Sequence, residues 1–196
     1  FVVVVAPSAA LMIAALRKFL FIPTVASLFD FSQYSLTHFK SLFENPLTIR
    51  SIVNGLKVGF AAAFVGGALS FAIGYTIHRS RTPGRQLIDY LSTIPIAVPG
   101  LVIGVAYLWA WVHLPGGLFG TIWILALAFV ARFLPDTVKA LSSSLMQVHR
   151  ELEEASVICG HGLLSTIRRI VLPLTWPGVL SGMVLLFVLS IRELGS

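Results

Sequence analysis

Three long runs without a charged residue dominate the chain, and they cover residues 58–77, 90–112 and 170–191. A helix needs about 20 mostly apolar residues to cross the hydrocarbon core of a bilayer, so each run is long enough for one membrane span. With 57% hydrophobic and 11% charged residues, a chain of 196 residues carries more apolar surface than a soluble domain of that size can bury. The sequence therefore predicts an integral membrane protein made of helices.

Two weaker runs add to these spans. Residues 116–134 are long enough to cross if Arg132 extends its guanidinium to the interface. Residues 1–16 look like a further span whose beginning is missing. A cleaved signal peptide is the alternative, but no basic stretch precedes the apolar run. We therefore expect an all-α polytopic bundle of about five transmembrane helices in a chain that we take to be a fragment.

Basic residues between the runs predict the orientation, because short loops rich in lysine and arginine stay in the cytoplasm. Arg79, Arg81 and Arg85 lie in the loop after the first of these runs, and further basic residues are spread over residues 132–169. Both segments are predicted to be cytoplasmic, which leaves residues 17–50 outside. The net charge of +6 is thereby attributed to orientation in a lipid membrane, not to nucleic-acid binding.

We predict a domain boundary at residue 48. Residues 1–47 are predicted to hold the truncated first helix and an external segment, and residues 48–196 a transmembrane domain that is truncated at its C-terminal end. Within that domain, the run 58–77 has small residues at four-residue steps, which let helices approach closely. Ordinary helix packing explains this pattern without a functional role. The two rows are Gly55, Gly59, Ala63 and Gly67, and Gly66, Ser70 and Gly74.

Proline and glycine interrupt the run 90–112. Pro95, Pro99 and Gly100 would bend a helix and release backbone carbonyls that a cavity or a neighbouring helix must satisfy. Broken helices often line transport paths, although kinks also occur for packing alone. We therefore take the three residues as candidate pathway residues.

No group of side chains indicates catalysis or metal binding. The five histidines lie in or beside loops, and no pair has the spacing of a helical metal site. Cys159 is the single cysteine, so the chain has no internal disulfide. A glycine-rich phosphate loop ending in Gly-Lys-Ser/Thr is also missing from the sequence. We predict no catalytic residue, metal site or cofactor here, and if the protein's work consumes energy, another subunit must supply it.

A polar loop over about residues 136–172 separates the last two predicted spans. Apolar residues recur in it at steps of three and four, which predicts one amphipathic helix with Glu151, Glu153 and Glu154 on its polar face. The apolar stripe consists of Val138, Leu141, Leu145, Val148, Leu152, Ala155 and Cys159. A helix resting on the lipid surface is the alternative, but anionic lipid would repel the three glutamates. They favour a protein partner.

Glycines are expected to end this helix. Gly160 and Gly162 allow a sharp break, and a second short helix is predicted over residues 163–171. Pro173 suits the first turn of the next span, where its missing N–H costs nothing. A helix, a glycine turn and a second helix fixed to a membrane span could transmit a displacement to that span.

A spaced motif runs through this loop: Glu-Ala-Ser, three residues, Gly, nine residues, Ile, one residue and Leu-Pro. Its residues are Glu154, Ala155, Ser156, Gly160, Ile170, Leu172 and Pro173. The motif resembles the EAA loop of type I ABC importer permeases, with a serine in place of the more usual second alanine. The resemblance implies that these helices dock into a cleft of a cytoplasmic ATPase subunit, whose closure drives alternating access.

The resemblance extends over residues 48–196 and implies further partners. These are an external solute-binding protein and a second permease half, fused or separate. It also implies a multi-pass protein of a prokaryotic inner membrane, and a further span beyond Ser196.

Finer features, at residues 107–111, 132–135 and 190–194, most resemble the second half of ferric-iron permeases, which implies ferric iron as the solute. Arg192 and Glu193 would then touch the solute or its binding protein, or form a salt bridge to a neighbouring span. Related cores carry polyamines, phosphonates, thiosulfate or sulfate. Two other classes stay open: a membrane scaffold, which needs no kinked spans, and an ion channel, which needs a polar pore and no ATPase.

Overall fold

The computed structural model describes residues 2–18, 30–80, 82–114, 117 and 119–193. Regular structure in these residues is helical apart from one isolated bridge between Arg17 and Tyr34, which confirms the predicted all-α class. The helices are α1 (Val2–Leu16), α2 (Thr37–Glu44), α3 (Pro46–His78), α4 (Arg85–Thr93), α5 (Gly100–His113), α6 (Trp123–Gln147), α7 (Glu151–Ile158), α8 (Leu163–Thr166) and α9 (Leu172–Glu193). Short 3₁₀ turns occupy Phe31–Gln33 and Ile94–Ala97, and a π turn occupies Ile167–Val171.

Two helices in the described residues are long and apolar enough to cross a membrane. They are α3 and the continuous helix Leu163–Glu193, which contains α8, the π turn and α9. The predicted spans 58–77 and 170–191 lie within them. A third crossing results if α4 with its 3₁₀ turn and α5 together count as one broken span. The expected total of five, which includes the shorter apolar helix α1, stays a prediction.

The predicted span over residues 90–112 is broken, because the chain turns sharply in the middle of it. The helix pair Arg85–Ala97 and Gly100–His113 is bent by 110°. Pro95 lies in the 3₁₀ turn and Pro99 is the residue before α5, and neither can donate a backbone hydrogen bond. Val98, which precedes Pro99, is forced into an extended conformation with φ −102° and ψ 125°. The predicted kink is therefore a full break.

The fourth predicted span is displaced along the chain. Residues 116–134 were expected to form it, whereas α6 starts at Trp123 and continues to Gln147. The helix extends further than expected because its later apolar residues stay buried in the bundle. It thereby contains both Arg132 and the first half of the predicted loop helix.

The core lies where α3, α6 and α9 pack side by side. A Cβ added to Gly66 would lie 2.3 Å from Cδ1 of Leu186, and one added to Gly67 would lie 2.4 Å from Cγ of Met183. The small residues of α3 therefore allow α9 to approach it closely. The buried core residues of the three helices are Val58, Ala62, Ala126, Val130, Phe133, Leu141, Leu145, Val179 and Leu186, with Val171 of the π turn.

The chain divides into two compact units, and the division falls within α3. One unit ends at Val53 and the other begins at Asn54, whereas the predicted domain boundary lies at residue 48. In the first unit, the side chain of Arg17 is buried and its carbonyl oxygen lies 2.9 Å from Nε2 of His38. The candidate site residues described below all belong to the second unit.

Candidate functional site

The segment predicted as one amphipathic helix, residues 138–159, is divided between two helices. α6 and α7 are separate, and the chain leaves helical geometry between them. Val138, Leu141 and Leu145 of the predicted stripe are buried in α6, whereas Leu152 in α7 is 44% exposed. The single amphipathic helix is therefore wrong, because its first half packs into the membrane bundle and its second half does not.

Arg79, the residue after α3, fills the gap between α6 and α7. Its Nη2 donates hydrogen bonds to the carbonyl oxygens of Leu145, at 2.5 Å, and of Val148. Its Nη1 lies 3.3 Å from Oε1 of Glu153 in α7. The Tyr75 hydroxyl donates to the other carboxylate oxygen of Glu153 at 3.0 Å. The side chains of Arg79 and Glu153 are only 5% and 16% exposed.

These contacts cap helix ends that would otherwise leave carbonyl groups without partners. Arg79 also places its charge at the negative end of the α6 dipole. Arg150 makes a reciprocal contact, since its Nη2 donates to the carbonyl oxygen of His78 at 2.5 Å, at the end of α3. Sequence reasoning assigned Arg79 to membrane orientation alone. No local pattern reveals the pairing, because the partners are 66 to 78 residues apart.

Gly160 ends α7 in a left-handed turn with φ +82°. Its N–H donates to the carbonyl oxygen of Val157 at 2.9 Å. The N–H of His161 donates to the carbonyl oxygen of Ser156 at 3.1 Å, and these two bonds form a Schellman motif. A residue with a Cβ would be strained at this φ. The predicted glycine break is therefore found at Gly160, whereas Gly162 has an ordinary φ of −75°.

Ser156 joins α7 to α8. Its hydroxyl lies 2.8 Å from the hydroxyl of Thr166, and both side chains are buried. Thr166 also donates to the carbonyl oxygen of Gly162 at 3.2 Å. The serine that replaces the more usual alanine thus makes a polar contact that an alanine could not make. Sequence reasoning missed this contact, although a paired Ser and Thr ten residues apart is a weak signal for it.

The predicted second helix over residues 163–171 is helical, but it does not end before the next span. α8, the π turn and α9 form one continuous helix from Leu163 to Glu193. Pro173 is the second residue of α9, as expected for a first turn, yet it has helix on both sides. Its missing N–H and its ring disturb the preceding turn, and the wider π turn accommodates both. Ile170 and Leu172 are half-buried beside it.

The rest of the predicted motif faces outward. Glu154, Ala155 and Gly160 are exposed. A groove of about 390 Å³ lies along this element, lined by Leu152, Ala155, Ser156, Cys159, His161, Arg169 and Ile170. Large apolar side chains around the glycine turn are also exposed, namely Val157 at 61%, Ile158 at 86%, Leu163 at 65% and Leu164 at 79%. The element therefore has a rigid interior and an apolar outer surface with an acidic edge.

A second cavity lies between α5 and α6 and contains two of the candidate pathway residues. It measures about 510 Å³ and is mostly apolar, and both Gly100 and Glu193 line it. Pro95 and Pro99 instead form the helix break beside it. Arg192 is exposed and does not line the cavity.

A charged pair forms part of the wall of this cavity. Nη2 of Arg132 lies 3.1 Å from Oε1 of Glu193, and both side chains are about one-third exposed. Glu193, the last residue of α9, holds the guanidinium of Arg132, and the expected extension of Arg132 towards the membrane interface stays a prediction. The salt bridge to a neighbouring span, one of the two roles considered for Glu193, is thereby found. Gly100 makes room for it, since a Cβ there would lie 2.0 Å from Nη1 of Arg132.

Within the described residues, no three side chains of His, Cys, Asp or Glu come close enough together to hold a metal ion.

Comparison with known proteins identifies the family. Residues 66–195, more than half of the chain, match the family model described as a binding-protein-dependent transport system inner membrane component. A probable sulfate transport system permease protein cysT from Helicosporidium sp. subsp. Simulium jonesii is 28% identical over 166 residues. That match covers 78% of this chain and 60% of the relative. The sulfate transport system permease protein CysT from Salmonella typhimurium is 27% identical over 189 residues, covering 90% of this chain and 68% of the relative.

A relative named for a different solute matches a shorter part of the chain. The ferric transport system permease protein FbpB from Actinobacillus pleuropneumoniae is 33% identical over 138 residues. This match covers 70% of this chain but only 20% of that protein, so the chain corresponds to one part of a much longer relative. The resemblance to importer permeases is confirmed, and the chain belongs to the family of binding-protein-dependent transport system inner membrane components.

Proposed function

We propose that this chain forms part of the membrane permease of an ATP-driven solute importer, and that α7 and α8 couple it to a cytoplasmic ATPase. The observation that carries the proposal is the motif element itself, a glycine-terminated helix joined through Ser156 to a helix that continues into a membrane span. The permease would not be catalytic. ATP and magnesium would be bound by the ATPase, and an external binding protein would deliver the solute.

The proposed docking surface is the exposed side of this element. Glu154 and Ala155 lie on it, and Gly160 allows α7 to end so that the apolar side chains of the turn stand outside the bundle. Burial of such side chains in a cleft of the ATPase would stabilise the complex by about 25 cal/mol per Å² of apolar surface. An acidic edge beside an apolar patch would orient the partner and exclude anionic lipid.

Force would reach the membrane through α9. Ser156 and Thr166 hold α7 against α8, and from Leu163 to Glu193 there is no break in the helix. Ile170, Leu172 and Pro173 lie where the π turn passes into α9. A displacement of the element would therefore tilt or shift this helix against α6 and change access from the two sides of the membrane.

The cavity between α5 and α6 is the proposed section of the transport path. The break at Pro95 and Pro99 removes regular helix beside it, and Gly100 brings the backbone of α5 against Arg132. Charged groups at membrane depth are costly and are a reason to expect a function. The pair Arg132 and Glu193 would control entry to this cavity, and Arg192 on the exposed side is available to the binding protein.

Two solutes are proposed from the relatives. The sequence favoured ferric iron, and one relative carries the name of a ferric transport system. Sulfate, one of the alternatives, is supported by several relatives that match up to 90% of the chain. Polyamines, phosphonates and thiosulfate remain alternatives from the resemblance alone. A membrane scaffold is a different class of function and predicts a bound partner without transport.

The test uses the complete permease in proteoliposomes with its ATPase and binding protein. We expect ATP-dependent accumulation of radiolabelled sulfate or of radioactive ferric iron. Glu154→Lys or Gly160→Pro is expected to abolish uptake while the protein still inserts, because each damages docking and leaves the spans intact. Glu44→Lys, which changes the same charge at an exposed position of α2, is the control. Normal uptake by a well-inserted Gly160→Pro variant would overturn the coupling role.

Two other outcomes would favour a different class of function. An ATPase that co-purifies with the permease, without accumulation of any solute from the five classes, would favour the scaffold. Solute flux without ATP would favour a channel.

A further inference from the structure

Three helix ends meet at one buried ion pair. Tyr75 and Arg79 lie at the end of α3, Leu145 and Val148 lie at the end of α6, and Glu153 lies in the first turn of α7. None of these residues belongs to the motif in α7 and α8. We call these two helices, with the glycine turn between them, the docking element. We call the three side chains Tyr75, Arg79 and Glu153 the latch.

The latch is built as a rigid link. Arg79 reaches acceptors on two helices at once, which a planar guanidinium with several donors can do and a lysine ammonium cannot do with the same geometry. The ion pair is largely removed from water, since the Arg79 side chain is 5% exposed. Separation of such a pair leaves a buried charge without its partner and is strongly unfavourable. The three helix ends are therefore held together.

The docking element is connected to α9 and to α3 in different ways. α8 continues into α9 without a break, so covalent structure alone couples the docking element to α9. α7 has no such continuity with α3, which precedes it by more than 70 residues. The latch supplies the missing connection, and Arg150 reinforces it with its hydrogen bond to the carbonyl oxygen of His78.

We propose that the latch fastens α7 to α3, so that movement of the docking element is passed to α3 as well as to α9. This inference rests on the proposed function. Arg79 touches neither solute nor nucleotide in this account; it is a positioning residue that acts through α7. Without it, the ATPase would still dock and hydrolyse ATP, but closure would move only part of the bundle.

The first experiment measures solute accumulated per ATP hydrolysed, in proteoliposomes that contain the complete permease, its ATPase and its binding protein. The probes are radiolabelled sulfate and radioactive ferric iron. Arg79→Gln is expected to lower the ratio at least tenfold. Arg79→Lys is expected to lower it severalfold, because a lysine keeps the charge but lacks the planar set of donors that reaches both helices. Tyr75→Phe removes one hydroxyl and should have the smallest effect.

The matched control is Arg85→Gln, which removes the same charge at the first residue of α4. The described contact of Arg85 is a 3.4 Å hydrogen bond to the carbonyl oxygen of Ser80, five residues earlier in the chain. Its ratio of solute to ATP should equal that of the wild type. A latch that only stabilised the fold would lower the amount of assembled complex and leave the ratio per complex unchanged, and that result would overturn the proposal.

The second experiment follows the distance between α3 and α7. Spin labels at Thr76→Cys and Glu151→Cys, in a Cys159→Ser background, are measured in the complex without nucleotide and after trapping with vanadate. The proposal expects the same distance in both states, and a changed or broadened distance after Arg79→Gln. A distance that changes on trapping with Arg79 intact would show that α7 moves independently of α3 and would overturn the proposal.

The results distinguish failure of the proposed function from failure of the latch. A wild-type complex that accumulates none of the five solutes with ATP would refute the proposed function and the latch with it. Wild-type uptake together with an unchanged ratio in Arg79→Gln would refute the latch alone. If Arg79→Gln does not assemble, Arg79→Lys and Tyr75→Phe decide the matter, and wild-type ratios in both would refute the latch.

Discussion

At the scale of single residues, two positions in the motif serve the geometry of the loop. Gly160 takes a left-handed φ of +82°, which closes α7 and releases the chain in a new direction. Ser156 points inward and pairs with Thr166. The glycine turn could be predicted from the sequence because few other residues tolerate such a φ. The hydroxyl pair could not, because burial of a serine is decided by packing that one sequence does not reveal.

The role of Gly160 gives a prediction with a control two residues away. Gly160→Ala is expected to lower the free energy of unfolding by about 1–2 kcal/mol, since it places a Cβ in the left-handed region. Gly162→Ala should change it little, because Gly162 has φ −75° and open space where the Cβ would lie. Thermal unfolding of the purified protein in detergent measures both. Equal melting temperatures for the two variants would contradict the account of this turn.

At the scale of helices, the sequence predicted which segments are helical better than it predicted where they end. The charge-free runs 58–77 and 170–191 were predicted correctly as parts of long apolar helices, because their composition is decisive. α6 was misjudged: its stripe of apolar residues has the same period whether it faces lipid, a partner or the bundle. Only the packing of Leu141 and Leu145 against the neighbouring helices determines that it faces the bundle.

Close packing of α9 against α6 gives a second prediction. A Cβ at Gly178 would lie 2.4 Å from Cβ of Ser144, an atom that cannot move without its helix. Gly178→Ala is therefore expected to destabilise the bundle by about 1–3 kcal/mol, as overpacked cores do. Gly104→Ala is the control, since no atom lies within 4 Å of its added Cβ. The melting temperature in detergent should fall for the first variant only. A Gly178→Ala protein as stable as the control would show that α6 and α9 are not in close contact there.

At the scale of the whole molecule, the proposed coupling runs from the docking element to the membrane helices. The motif, its glycine and its proline were found from the sequence because they are close together along the chain. The Arg79 contacts and the pair between Arg132 and Glu193 were not, because they join residues distant in sequence. Glu193 was considered for such a bridge, but its partner could not be named. Long-range polar contacts are therefore where the structure adds most to the functional reading.

The central claim is that α7 and α8 dock into an ATPase subunit, and Cys159 allows the most direct test of it. This exposed thiol lies at the end of α7, beside the glycine turn. In the complete permease, cysteines are placed one at a time along the cleft of the ATPase and the complex is oxidised. The account predicts a disulfide between Cys159 and at least one cleft position, and none in a Cys159→Ser permease. If no cleft position forms a crosslink, while Cys159 still reacts with a small maleimide, the docking claim is contradicted.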